Sequence, residues 1–339
     1  MIFWFWVGLT VIAVPPFAYG LVMAAFFLYI RWKYLHYIVR IFQEKPLFII
    51  PRGQPIEGAE DVVIPTRDNL LLKGSYIPHT ASGPRKGVIL FGLEYGSNRW
   101  SCRHYCEKLL KAGFDVFSME LRNQGESDKD PNYEPLQWVT DKDLADMKAA
   151  VKYLLGRPDA DPHGIGLFGI SKGASTGMLA AMQEPRIRCA VTDGAYATYT
   201  TVMPYVRKWI RIYSDRHRLQ RALPQWFFGQ VGLAGVREVA RNRGVTYPSV
   251  EKAVRRFRRP LLMIHGEADS YIQPAMAEVL FTGAAEPKEL WMVPKARHNQ
   301  ALQMAGDEYH SRLISFFEKH LAAADGALVE VPADSVDEV

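Results

Sequence analysis

Three residues in the second half of the chain could together form a hydrolytic centre. Ser171 lies in Gly169–Gly173, which matches the pattern G-x-S-x-G between an apolar stretch and a helical pattern. Asp269 and then His298 follow two later apolar stretches. A serine hydroxyl is a weak nucleophile near neutral pH until an imidazole removes its proton, and a carboxylate fixes the tautomer of that imidazole. The sequence therefore predicts Ser171 as nucleophile, Asp269 as orienting acid and His298 as general base.

The acid has a second candidate, Asp193, because it also follows an apolar stretch; we favour Asp269. The remaining residue patterns do not predict other chemistry. Cys102 and Cys106 flank a histidine, but the three residues lack the second ligand pair of a zinc site, so we assign both thiols to helix packing. The basic run at 255–259 has no nucleic-acid-binding motif around it. We expect no metal, no organic cofactor and no nucleic-acid partner.

Alternating short apolar runs and amphipathic stretches predict the α/β elements that must position these residues. The predicted strands are buried and mostly parallel, because their apolar runs are continuous. Eight strands are predicted, at 61–64, 70–77, 87–91, 115–119, 165–168, 189–192, 261–264 and 290–293. Helices are predicted at 99–111, 144–155, 172–183, 274–282 and 307–320.

The first thirty residues contain no charged side chain and are long enough to cross a bilayer, which needs about 20 apolar residues. Pro15 and Pro16 interrupt this run, but each half is too short to span alone, so we predict one kinked transmembrane helix. Arg31, Lys33 and Arg40 follow it directly, and the positive-inside bias therefore places the catalytic domain in the cytoplasm, behind a single-pass anchor. The alternative is a hydrophobic helix that docks on the soluble domain.

The chain is basic overall, with a net charge of +5, and the basic residues are concentrated in one stretch. Residues 205–260 carry 14 Lys and Arg against 3 Asp and Glu. We expect this stretch to face the anionic cytoplasmic leaflet. The predicted layout is an anchor at 1–30, a juxtamembrane linker at 31–60, an α/β domain at 61–198 and 257–324, a cap insertion at 199–256, and a disordered acidic tail at 325–339.

From about residue 61 to residue 322 the chain resembles the α/β-hydrolase superfamily. The stretch 161–173, around Ser171, is similar to its esterase, dipeptidyl-peptidase and acyl-CoA thioesterase branches. The stretch 121–127 is similar to the family's D-x-R-G-x-G-x-S loop, with Glu120 and Asn123 as departures. The resemblance implies an α/β-hydrolase fold with a cap, and a serine hydrolase that cleaves small-molecule esters through an acyl-enzyme. The anchor and the basic stretch add the expectation that the ester is lipid-like. Thioester cleavage or acyl transfer, peptidase activity, and a non-catalytic membrane-tethered binding protein are the alternatives.

The resemblance also implies an oxyanion hole. By position its donors are the backbone N–H groups of Tyr95 and Lys172, while the Lys172 side chain is expected to face solvent. Family members commonly have His-Gly after the third strand, where this chain has Leu93 and Glu94. A carboxylate pointing inward there would oppose the oxyanion. We expect Glu94 to turn outward or to be held by a cation such as Arg99; otherwise the enzyme is slow or narrowly specialised.

Overall fold

The computed structural model describes residues 2–43, 52–202, 204–206 and 224–322. The chain divides into two compact units. One contains Met1–Glu44 and Val202–Gly244, and the other contains Lys45–Thr201 and Val245–Val339. The predicted tail at 325–339 and part of the predicted insertion lie outside the described residues.

The larger unit is built on an eight-stranded sheet with the order β1-β2-β4-β3-β5-β6-β7-β8. Strand β2 is antiparallel to both of its neighbours, β1 and β4. The six strands β3 to β8 are all parallel to one another. All eight predicted strands are confirmed. Their bounds are β1 Glu60–Pro65, β2 Leu71–Ile77, β3 Gly87–Gly92, β4 Phe114–Met119, β5 Ile165–Ile170, β6 Ile187–Asp193, β7 Leu261–Gly266 and β8 Lys288–Val293.

Strands β3, β4, β5 and β7 are buried at every residue. Successive side chains of a strand point to opposite faces, so complete burial means that both faces of the sheet centre are covered. The continuous apolar runs of the sequence follow from this arrangement. The carboxyl ends of the parallel strands then share one edge, where open α/β sheets place their binding sites.

The helices of the larger unit confirm the five predicted after residue 60. The structure contains α2 Cys102–Lys111, α3 Asp141–Leu155, α4 Lys172–Gln183, α6 Val250–Arg256, α7 Pro274–Gly283, α8 Ala301–Ala305 and α9 Asp307–Phe317. Helix α3 begins three residues earlier than predicted because Thr140 and Asp143 form a capping box, in which each side chain accepts from the other's backbone N–H. Cys102 and Cys106 are buried on α2 within the core, as predicted for packing thiols.

The smaller unit contains α1, Ile2–Phe42, and α5, Gln225–Arg243. Helix α1 runs through both prolines and continues beyond residue 30, so the first part of the predicted juxtamembrane linker is helical. The two helices pack through aromatic rings, with Phe26 stacked on Phe227 at 5.6 Å. Gly235 permits a close approach, since a Cβ there would lie 2.8 Å from the Ile38 side chain.

Helix α1 is long and apolar enough to cross a membrane over Val14–Arg40. Over Val14–Ile30 no side chain is buried, unlike those of a core helix: Phe17 is 69% exposed and Val22 is 65% exposed. An exposed apolar surface of this length is unfavourable in water and favourable in lipid. The helix is therefore a candidate membrane span.

Candidate active site

The turn between β5 and α4 presents Ser171 in a strained conformation, with φ 50° and ψ −114°. Such a positive φ is costly for a residue other than glycine. The flanking glycines make the sharp turn possible. A Cβ at Gly169 would lie 2.5 Å from the Cα of Ala174, and one at Gly173 would lie 2.2 Å from the carbonyl carbon of Gly92. The G-x-S-x-G pattern is thus required by backbone packing at this turn.

The structure brings Ser171, His298 and Asp269 into one hydrogen-bonded series. The Ser171 Oγ lies 2.9 Å from the His298 Nε2, and the His298 Nδ1 lies 2.7 Å from an Asp269 carboxylate oxygen. An imidazole protonated at Nδ1 donates to Asp269 and accepts the serine hydroxyl proton at Nε2. The arrangement is therefore able to activate the hydroxyl as a nucleophile.

The Asp269 carboxylate is fixed by the turn that follows β7. Its second oxygen accepts hydrogen bonds from the backbone N–H groups of Tyr271 and Ile272, each at 2.8 Å. His265 lies beside it, with its Nε2 2.8 Å from the Ile272 carbonyl and 3.6 Å from Asp269. Burial lowers the pKa of His265, which favours its neutral form. Sequence reasoning missed His265, which lies within an apolar strand and carried no motif.

The alternative acid, Asp193, has a different partner. It ends β6, and its carboxylate accepts a hydrogen bond from the Tyr309 hydroxyl at 2.8 Å. Burial raises the pKa of Asp193 to about 7. Of the two candidate acids, Asp269 is therefore the one that contacts His298 Nδ1.

The expected position of the Lys172 side chain is wrong. Its Nζ is buried, lies 2.8 Å from an Asp143 carboxylate oxygen and donates to the Leu136 carbonyl at 2.7 Å. The loop after β4 and the first turn of α3 supply these partners, and they replace solvent around the ammonium. The backbone of Lys172 begins α4 directly after Ser171.

The loop that carries Tyr95 lies against the same helix end. A Cβ at Gly92 would lie 2.6 Å from the carbonyl oxygen of Gly173, so the end of β3 contacts the first turn of α4. This contact places the two segments that carry the expected oxyanion donors next to each other. The donor roles of the Tyr95 and Lys172 N–H groups remain predictions.

Both favoured expectations for Glu94 are wrong. Glu94 is 5% exposed rather than turned outward, and it accepts a hydrogen bond from the Asn299 side chain at 2.6 Å. Arg99 pairs instead with the buried Glu120 at 3.2 Å. Burial raises the pKa of Glu94, opposed by the hydrogen bond from Asn299 and by the charge of His298. Asn299, which sequence reasoning missed, directly follows His298 and lies far from Glu94 in the chain.

The two departures in the loop after β4 have structural explanations. Asn123 has a φ of 61°, a left-handed conformation that asparagine tolerates better than most residues. The Glu120 carboxylate accepts hydrogen bonds from the backbone N–H groups of Arg99 and Glu126 and from the Arg99 guanidinium. Gly125 leaves room for this carboxylate, since a Cβ there would lie 2.1 Å from it.

Within the described ranges, no three His, Cys, Asp or Glu side chains are grouped so that they could hold a metal ion. Burial raises the pKa of Cys102 to about 12, which favours an inert thiol over a metal-binding thiolate.

Known proteins share this fold and sequence pattern. A model of the alpha/beta hydrolase family matches residues 93–312. An uncharacterised protein of Mycobacterium tuberculosis is 27% identical over 264 residues, covering 76% of this chain and 81% of that protein. The alpha/beta hydrolase domain-containing protein WAV2 of Arabidopsis thaliana is 23% identical over 301 residues, covering 82% of this chain and 88% of WAV2.

A solved structure of an esterase from Pyrococcus furiosus superposes on 82% of this chain and 100% of its own, with a TM-score of 0.59 and 22% sequence identity. This likeness supports the fold. The family match covers most of the chain, from the loop after β3 to α9, and includes Ser171, Asp269 and His298. The chain belongs to the alpha/beta hydrolase family.

Proposed function

We propose that the chain is a membrane-anchored serine hydrolase that cleaves carboxylic esters through an acyl-enzyme. The observation that carries the proposal is the hydrogen-bonded series of Ser171, His298 and Asp269, with distances of 2.9 and 2.7 Å. These distances lie within the range required for proton transfer between a nucleophile and its base.

In the proposed reaction, Ser171 Oγ attacks the ester carbonyl carbon while His298 Nε2 takes the hydroxyl proton. The backbone N–H groups of Tyr95 and Lys172 hold the oxyanion. The tetrahedral intermediate collapses, the ester C–O bond breaks, and His298 returns the proton to the leaving alcohol. A water molecule then attacks the acyl-enzyme with His298 as base, and releases the acid and Ser171. Asp269 stabilises the imidazolium in both halves of the reaction.

The buried Glu94 is compatible with this mechanism when it is neutral. Burial raises its pKa, which favours the protonated acid, while the hydrogen bond from Asn299 opposes this shift. A neutral acid opposes a developing oxyanion far less than a carboxylate does. The alternative, a non-catalytic binding protein on this scaffold, is favoured if Glu94 remains charged and opposes the oxyanion.

The proposed location rests on α1, with the anchor at 1–30 and the positive residues that follow it. By the positive-inside bias the larger unit is cytoplasmic. The insertion at 199–256 is proposed as a cap that shapes the acyl or alcohol pocket, with its basic residues toward the anionic leaflet. An enzyme held at the bilayer surface meets lipid-like esters at high local concentration, so we propose these as substrates.

The test of catalysis is labelling of the full chain with a fluorophosphonate probe, which reacts only with an activated serine. Wild type is expected to label, and Ser171→Ala is expected to lose labelling. Ser82→Ala is a matched control, since Ser82 is exposed on a loop of the same unit. Wild type that fails to label while it remains folded would favour the binding-protein alternative.

The reaction class is tested with a series of aryl esters of increasing acyl length, matched acyl-CoA thioesters, and peptide substrates. We expect the aryl esters to give the highest kcat/KM, and His298→Gln and Asp269→Asn to reduce it. Faster turnover of the acyl-CoAs or peptides would replace the ester assignment with the corresponding alternative on the same three residues.

The anchor is tested separately, by extraction of membranes with alkaline carbonate. The full chain is expected to stay with the bilayer, and protease added outside sealed right-side-out vesicles is expected to leave the larger unit intact. Release by carbonate would contradict the anchor without affecting the catalytic proposal.

A further inference from the structure

The smaller unit contains a groove of about 670 Å³ between the C-terminal part of α1 and the last turns of α5. Arg31 and Arg40 line it from α1, and Arg243 lines it from α5. Both walls are helical and pack directly on each other, as the contact between Gly235 and Ile38 shows. The groove therefore belongs to one compact unit, and two packed helices form its walls.

The polar groups of the groove favour an anion. Three guanidinium groups line it, together with the side chains of His36 and Asn242. Glu238 is the acidic residue among the described lining side chains, and its carboxylate lies 3.0 Å from Arg241. Guanidinium groups present paired N–H donors that match the oxygens of a phosphate, and they are more weakly hydrated than ammonium groups. The chemistry of the groove is therefore that of a phosphate-binding site.

The position of the groove along α1 favours a phosphate that is part of a lipid. The uncharged stretch of α1 ends at Ile30, and the groove begins at the next residue, Arg31. Trp32, which is 79% exposed, lines the same end, and tryptophan is enriched at the headgroup level of membranes. At about 1.5 Å per helical residue, Arg31 and Trp32 lie within the few ångströms of headgroup layer next to the hydrocarbon.

We propose that this groove binds the phosphate-bearing headgroup of an anionic glycerophospholipid, with Arg31, Arg40 and Arg243 as its cationic contacts. The proposal rests on the membrane span proposed for α1. It goes beyond the general attraction of a basic surface to an anionic leaflet, because it assigns the contacts to three residues on two packed helices.

The test uses the full chain in phosphatidylcholine vesicles that contain either brominated phosphatidylglycerol or brominated phosphatidylcholine. Bromine quenches nearby tryptophan fluorescence, and the share that is due to Trp32 is obtained by comparison with Trp32→Phe. We expect stronger quenching of Trp32 by the brominated anionic lipid at equal lipid content. An equal effect of the two brominated lipids on Trp32 would overturn the proposal.

The contacts are tested with the variant Arg31→Gln/Arg40→Gln/Arg243→Gln. A cation near the surface changes the affinity for anionic lipid by about fivefold, so the three substitutions together should remove the preference for phosphatidylglycerol. The matched control is Arg67→Gln/Arg103→Gln/Lys129→Gln, which makes the same charge change at exposed residues outside the groove and outside the basic stretch at 205–260. A control that loses the preference as completely as the groove variant would show non-specific attraction and overturn the proposal. If the triple variant does not fold, Arg40→Gln alone is expected to lower the preference about fivefold.

Two further measurements distinguish an error in the lipid assignment from an error in the proposed membrane span. Inorganic phosphate added to the detergent-solubilised protein distinguishes a free anion from a headgroup; binding of phosphate through the same arginines, with no lipid preference in vesicles, would overturn the lipid assignment. Carbonate extraction of the same vesicles reports on the span. A chain that resists extraction but shows no preference contradicts the groove alone, whereas a chain that is released contradicts both the span and the groove.

Discussion

The buried ion pair of Lys172, the residue after Ser171, gives a prediction whose magnitude follows from the structure. The Lys172 Nζ lies 2.8 Å from the Asp143 carboxylate, and the two side chains are only 2% and 1% exposed. Removal of one partner of a buried pair leaves an uncompensated charge and costs about 3–5 kcal/mol of unfolding free energy. Asp143→Asn retains an oxygen that can cap α3 at Thr140 but removes the charge. We therefore expect it to lower the unfolding free energy by about 3 kcal/mol, at the low end of this range.

A double-mutant cycle isolates the interaction. Lys172→Met should also destabilise the protein, because it leaves the Asp143 charge buried, and the double variant should cost less than the sum of the two single variants. For residues in contact, a coupling of about 0.5–3 kcal/mol is expected, and a buried ion pair should fall in the upper half of this range. The measurement is urea unfolding of the full chain in detergent, followed by tryptophan fluorescence.

The ion pair of Lys111 and Glu107 provides the control for the cycle. Its atoms are 2.7 Å apart, but both side chains are exposed and lie one turn apart on α2. Glu107→Gln should therefore cost only about 0.3–0.5 kcal/mol. Additive effects of Asp143→Asn and Lys172→Met, or a cost of Asp143→Asn no larger than that of Glu107→Gln, would refute the reasoning. If the cycle holds, kcat of Asp143→Asn should fall more than KM rises, because Lys172 carries a proposed oxyanion donor.

Three further predictions concern buried charges around the site. Burial raises the pKa of Asp193 from 3.8 to about 7, so the folded protein retains a proton that the unfolded chain releases, and wild type loses stability as pH rises through this interval. Asp193→Asn should gain stability relative to wild type between these pH values in denaturant unfolding; parallel pH curves would contradict this.

Glu94→Gln should leave the acidic limb of the kcat/KM profile in place, because a neutral acid and a neutral amide act alike on the charge of His298; a limb that moves to lower pH would show that Glu94 is charged beside His298. Arg122→Met should cost about 3–5 kcal/mol in urea unfolding, since it leaves the buried Asp146, 2.6 Å away, without its guanidinium; a cost below about 1 kcal/mol would mean that water replaces the guanidinium.

The sheet and the order of the site residues could be predicted because local patterns determine them. Continuous apolar runs identify the buried parallel strands, and the glycines around Ser171 identify a turn that only small residues permit. Each candidate acid and base follows such a strand, so its place at the carboxyl edge of the sheet follows from topology. Asp193 and Asp269 share this property, and only the conformation of the loop after β8 decides which one contacts the imidazole.

The surroundings of the site could not be predicted, because they depend on contacts between distant loops. Lys172 lies next to an exposed helix start in the sequence pattern, but residues of the loop after β4 and of α3 bury its ammonium. Arg99 is near Glu94 in the chain, yet Glu120 binds it because the loop after β4 folds over the start of α2. Nothing in the local sequence signals either partner.

Glu94 and Asn299 show how a departure from the family pattern is accommodated. The resemblance implies His-Gly after β3, and a carboxylate there is unfavourable next to a developing oxyanion. The Asn299 amide donates to the Glu94 carboxyl group, so the loop that carries Tyr95, a proposed oxyanion donor, is joined by a hydrogen bond to the loop that carries His298. Loss of that bond would therefore disturb both loops together. This linkage gives the buried Glu94 a structural role, and the Ser171–His298 contact is intact beside it.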